Sequence, residues 1–149
     1  MKTILSTCFF VLISLSLSAQ VMNESQGTGS GVSISTGDYN TFYGDSSGTS
    51  VSSGSLNTMV GYKAGIYQTS ASDNVFIGAG SGGGTTTGTD NTVIGTKAGG
   101  WGSSLIEDSQ PVGALGTDNT VIGTEAGMVM TTGASDNVII GEEAGQALV

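Results

Sequence analysis

The chain has 149 residues, 12 of them acidic and 3 basic, with 26 glycines, one cysteine and no histidine. That balance argues against a nucleic-acid partner, whose phosphates need a basic face, and leaves no imidazole for metal ligation or general-base catalysis. The acidity favours solubility outside the cell and attracts cations.

Residues 1–19 read as a secretory signal peptide. Met1 and Lys2 give a short basic start, Ile4 to Leu17 is apolar with serine and threonine mixed in, and Leu17-Ser18-Ala19 before Gln20 is a plausible cleavage site. The stretch is placed and sized as a signal rather than as a retained anchor. Cys8 lies within it; Leu5-Ser6-Thr7-Cys8 faintly resembles a lipidation box, the minor reading because only a few apolar residues precede it. Cleavage after Ala19 leaves a chain without cysteine, hence without disulfides, whose only basic residues are Lys63 and Lys97. Residues 20–36 are rich in glycine and serine and read as a flexible lead-in or a frayed first coil.

From residue 37 to 149 one unit recurs. Six copies align on Asn40, Asn57, Asn74, Asn91, Asn119 and Asn137, in steps of 17, 17, 17, 28 and 18 residues. Four positions after each asparagine stands a glycine: Gly44, Gly61, Gly78, Gly95, Gly123 and Gly141. Another follows eight positions after, from Gly48 to Gly145, always preceded by alanine or serine. Internal repetition of this kind signals stacked coils, each one a unit that buries its apolar face against its neighbours.

Two apolar columns lie between asparagine and glycine. One is Phe42, Met59, Phe76, Val93, Val121 and Ile139; the other is Tyr43, Val60, Ile77, Ile94, Ile122 and Ile140. Short runs of β-branched and aromatic residues predict strands, and glycine interrupts them before a helix could form. Asparagine before the strand suits a turn closed by its own side chain. The aspartates before it (Asp73, Asp90, Asp118, Asp136) suit solvated turn positions, with calcium binding as the alternative. Adjacent strand residues point to opposite faces, so each coil offers one apolar residue inward and one outward. The outward column needs a cover, and another chain is the simplest one. The thin core points the same way, since small cores without cross-links rely on oligomerisation.

The long step between Gly99 and Asn119 implies an insertion at about 100–115. Insertions in solenoids form loops on one face, often the binding face. Trp101, Glu107 and Asp108 are therefore the candidate binding loop; Trp101 is read either as a contact anchor or as a structural cap. Adjacent carboxylates do not make a glycosidase pair, and serines without a base partner do not make a nucleophile. No catalytic residue, metal site or cofactor is expected.

Gly88-Thr89-Asp90-Asn91-Thr92-Val93-Ile94-Gly95-Thr96-Lys97-Ala98-Gly99, and the matching stretch from Gly116 to Gly127, resemble the head repeats of trimeric autotransporter adhesins. They are also similar to repeats of phage tail-fibre-like secreted proteins. The resemblance covers most of the chain after the signal and implies a parallel β-roll, three chains side by side, with a surface role in attachment and no catalysis. The 17-residue period is longer than the compact head repeat, so each coil is expected to bulge.

The expected fold is thus all-β, a parallel β-roll or β-solenoid of about six 17-residue coils that assembles as a homotrimer. The expected function is a secreted or cell-surface structural and adhesive head module of the bacterial outer envelope, facing a host or surface glycan or protein. The alternatives are a carbohydrate-, ice- or calcium-binding β-solenoid, or a tail-fibre-like structural fragment.

Overall fold

The computed structural model describes residues 22–100, 115–128, 130 and 133–145. These form one parallel sheet of seven three-residue strands: β1 (Glu24–Gln26), β2 (Thr41–Tyr43), β3 (Thr58–Val60), β4 (Val75–Ile77), β5 (Thr92–Ile94), β6 (Thr120–Ile122) and β7 (Val138–Ile140). Each pairs with the next in sequence, in order β1 to β7. The pairing register is the repeat itself, with Phe42 on Met59, Met59 on Phe76 and Phe76 on Val93. The protein is a parallel β-solenoid in which one repeat makes one coil.

Glycine ends each strand for a backbone reason. Gly78 adopts φ +130°, and a Cβ there would lie 2.5 Å from the carbonyl oxygen of Gly95 in the next coil. Gly82, at φ +60°, sits over the Phe76 ring, where a Cβ would come within 2.5 Å of the ring carbons. The first position needs a conformation open only to glycine, and both need close approach. The corner before each asparagine is left-handed as well, with φ between 57° and 60° at Asp73, Asp90, Asp118 and Asp136. Aspartate tolerates that region. Tyr39 and Leu56 hold the same corner in two earlier coils, at φ 58° and 60°.

The interior holds an apolar cluster and a file of asparagines. The middle residue of each strand from β2 onward points inward, and Phe42, Met59, Phe76, Val93 and Val121 are fully buried. Val51, Leu115 and the small residues Ala64, Ala98 and Ala126 complete the cluster, with Ile34, Met130 and Ile139 packed against it. Alanine or serine beside the second glycine lets coils approach closely, as the small-residue column predicts.

Beside this cluster, two residues before each inward strand residue, runs a ladder of asparagines. The Asn57 backbone N–H donates to Asn40 Oδ1 at 3.0 Å, and Asn57 Nδ2 donates to the same oxygen at 3.0 Å. Asn57 Nδ2 also donates to the Ala71 carbonyl at 2.9 Å. The pattern repeats at every coil through Asn74, Asn91, Asn119 and Asn137. The sequence suggested a local turn closed by the asparagine side chain. Local bonds do occur, as from Asn74 Nδ2 to the Ser72 carbonyl at 3.0 Å, but the side chain mainly binds one coil to the next.

Two features depart from the simplest expectation. Residues 20–36 were read as a flexible lead-in or a frayed first coil, and the structure places a coil there. β1 pairs with β2, Asn23 Oδ1 accepts from the Asn40 N–H at 2.8 Å, and Gly27 and Gly31 take the two glycine positions. The described residues therefore form seven coils. The insertion leaves the stack undisturbed: Asn119 N–H donates to Asn91 Oδ1 at 3.1 Å across 28 residues, and β5 pairs with β6 in the common register. The chain re-enters at Leu115, whose side chain is buried in the core.

Candidate functional site

Three-residue strands place their first and third residues on the outer face of the sheet. The third position carries Tyr43, Val60, Ile77, Ile94, Ile122 and Ile140, one above another. Neighbours along this file are separated by the strand spacing, ~4.8 Å. Tyr43 is 57% exposed and Ile140 64%, while Val60, Ile94 and Ile122 are half-buried by their neighbours above and below. The first position carries Thr41, Thr58, Val75, Thr92, Thr120 and Val138. The face is therefore a flat lattice of methyl groups edged by threonine hydroxyls, without a charge between β2 and β7. Only β1 breaks it, with Glu24 and Gln26 in the two outward positions.

Charge collects instead at the corners. Lys97 Nζ lies 3.4 Å from Glu125 Oε1, an ion pair between consecutive coils. The Lys63 ammonium sits 5.4 Å from the centre of the Tyr62 ring. Asp73, Asp90, Asp118 and Asp136 are exposed at their left-handed corners. Among the described residues no three histidine, cysteine, aspartate or glutamate side chains come together as a metal site would require.

The residues singled out by sequence fall into three groups. Asn40, Asn57, Asn74, Asn91, Asn119 and Asn137 form the interior ladder. Gly44, Gly61, Gly78, Gly95, Gly123 and Gly141 form the strand-ending corner, all with φ between 128° and 136°. Both groups build the scaffold on which the outer face lies. The candidate binding loop of Trp101, Glu107 and Asp108 lies outside the described residues, as does the signal segment 1–19. Sequence reading passed over the threonine file. The signal was present at positions 41, 58, 92 and 120 but interrupted by valine at 75 and 138.

The chain matches no known protein-family model, no curated protein and no solved structure. The β-solenoid thus stands on its own geometry, and no homology links the chain to trimeric adhesin heads or tail fibres.

Proposed function

We propose that the protein is a non-catalytic structural and adhesive rod, secreted or held at the cell surface, whose outer sheet face is covered by further copies of itself in a trimer. The observation that carries this reading is the unbroken apolar file from Tyr43 to Ile140. Contiguous exposed apolar surface on a rigid sheet marks an interaction site. Side-by-side packing of identical solenoids would cover it. The signal-like amino terminus and the acidic surface support a place outside the cytoplasm. A partner of the assembled rod, a glycan or protein on another surface, would meet the corners and the insertion rather than the covered sheet.

Sedimentation equilibrium of the purified protein tests the assembly. A mass of three chains that falls to one on Ile94→Lys or Ile122→Lys is the expected result. A single-chain mass at high micromolar concentration would remove the trimer.

The threonine file favours a second reading. Hydroxyls and methyls repeating along the stack at ~4.8 Å, beside a file of isoleucine and valine, offer a rigid template for ordered water and hence for ice. Threonine is spaced along the stack here rather than along each strand. Thermal hysteresis that is lost on Thr92→Lys would favour this reading. Its absence in a protein that sediments as a trimer would favour the first.

A further inference from the structure

The corner that follows each strand lies five and six residues after the asparagine. In chain order it reads Thr28-Gly29, Asp45-Ser46, Tyr62-Lys63, Ala79-Gly80, Thr96-Lys97, Thr124-Glu125 and Glu142-Glu143. These corners stack in register. The Lys63 N–H donates to the Asp45 carbonyl, the Gly80 N–H to the Tyr62 carbonyl and the Lys97 N–H to the Ala79 carbonyl, all at 2.9 Å. The sixth position is left-handed in every coil, with φ between 55° and 71°. Glycine meets that demand most easily, and does so at Gly29 and Gly80. The backbone therefore calls for neither a lysine nor an aromatic neighbour in this file.

Lys63 and Lys97 are the only basic residues among those described, and both stand here. They are two coils apart, ~9.6 Å along the axis at the strand spacing. Between them Ala79-Gly80 carries nothing longer than a methyl group. Beside Lys63 stands Tyr62, the one aromatic residue in the file, 45% exposed and with its ring centre 5.4 Å from the ammonium. A carboxylate borders the group on each side. Asp45, exposed, precedes Tyr62 by one coil, and its Oδ1 accepts from the Thr28 N–H at 2.9 Å. Glu125 follows Lys97 by one coil, 3.4 Å from its ammonium. The corners after β3, β4 and β5 thus present an exposed ring and two ammoniums around a low floor, on an otherwise acidic protein.

We propose that this corner binds an acidic glycan lying along the rod, with a sugar ring on Tyr62 and a uronate carboxylate between Lys63 and Lys97. An aromatic ring offers an apolar face for the C–H face of a pyranose and a polar handle at its rim. A carboxylate between two ammoniums accepts charge-assisted hydrogen bonds, the stronger kind. The methyl group at Ala79 and the bare backbone at Gly80 leave room for it above the floor. Asp45 is placed to accept from sugar hydroxyls on the near side. Asp45 and Glu125 also repel a second anionic group beyond either lysine, so the geometry selects a uronate flanked by neutral sugars over a run of uronates. The proposal rests on reading the rod as an attachment module. It uses a corner in the middle of the stack and stands apart from the sheet face assigned to the trimer.

Titration calorimetry of the purified protein with a hyaluronan hexasaccharide, in which glucuronate alternates with a neutral sugar, tests the proposal. Binding that weakens with added salt is the expected result. The methyl ester of the same hexasaccharide keeps the shape and removes the charge, and is expected to bind about tenfold more weakly. Tyr62→Ala is expected to weaken binding of the acid about tenfold, and Lys97→Gln about threefold. Ala79→Glu places a carboxylate between the two lysines and is expected to abolish binding; an unchanged urea midpoint shows that the fold survives. Ile122→Lys, which dissociates the proposed trimer, is expected to leave the affinity per chain unchanged, so that failure of the trimer and failure of this site are told apart. Equal affinity for the acid and its ester would overturn the proposal. So would affinity that ignores both Tyr62→Ala and Ala79→Glu, or no binding of the acid at millimolar concentration.

Discussion

Two files of side chains run through the interior of this solenoid, and their polar members fare differently. In the asparagine file each Oδ1 from Asn40 to Asn119 accepts from the backbone and side chain of the next coil, and each Nδ2 over the same span donates to the coil before and to a carbonyl at the end of its own turn. Eleven residues after the asparagine lies a second file, occupied by Ile34, Val51, Gln68, Thr85 and Met130. Its two polar members are completely buried. Gln68 Nε2 reaches Asn57 Oδ1 at 3.1 Å, but Gln68 Oε1 and Thr85 Oγ1 have no partner among the described residues. Burial is equal in the two files; satisfaction is not. An amide that recurs in register finds its partner in its own copy one coil away. Polar atoms at positions where the type does not recur, Gln68 Oε1 and Thr85 Oγ1, find none among the described residues and carry the desolvation penalty alone.

The sharpest test of this contrast is Asn74→Leu, which keeps the shape and removes the amide. It leaves the Asn91 N–H and Nδ2 without their acceptor and the Gly88 carbonyl without a donor. Unfolding free energy measured in urea is expected to fall by about 3 kcal/mol or more. The opposite sign is expected at Thr85→Val, again of equal shape, where removing an orphaned hydroxyl raises stability by about 1.5 kcal/mol. If both variants destabilise alike, the distinction between the files fails. Asn137→Ala samples the last asparagine described, whose Oδ1 accepts nothing among the described residues. The loss there is expected to be about 1 kcal/mol in the same assay at a dilution where copies stay apart; a loss as large as that of Asn74→Leu would contradict a partner-by-partner account. The smallest effect is expected at Leu56→Asn, a polar residue introduced at an exposed left-handed corner. Asparagine accommodates that backbone better than leucine, and a gain of about 0.5 kcal/mol in thermal or urea unfolding would show a polar residue helping through conformation alone.

Much of the solenoid could be read from the chain because the restrictive positions recur. Glycine at two fixed offsets, asparagine at the origin and alternating apolar columns follow from corners, ladder and strand in turn. The β-solenoid class, the strand positions and the inward and outward columns were legible for that reason. The first coil was harder to see: Ser25 and Gln26 stand where later coils have apolar residues, so a reading weighted to hydrophobicity ended one coil short. Asn23, Gly27 and Gly31 kept the frame, which shows that backbone demands persist where packing demands relax. The left-handed corner was legible at Asp73 and not at Leu56, because leucine does not advertise that conformation. The second interior file stayed hidden because its occupants share neither size nor polarity. The outer face was half legible, its apolar file foreseen and its threonine file missed. What covers that face depends on a second molecule, which one chain's periodicity does not name.

The junction at Asn91 and Asn119 has a consequence for how such a rod diversifies. Twenty-eight residues separate these asparagines, against 17 at the preceding step, yet both steps advance the sheet by one strand. Rod length is thus set by the number of coils and is indifferent to how much chain is spent between Gly100 and Leu115. Selection can lengthen, shorten or rewrite that segment while core, ladder and ends keep their positions. The number of coils and the content of that segment can thus change on separate stretches of the same gene.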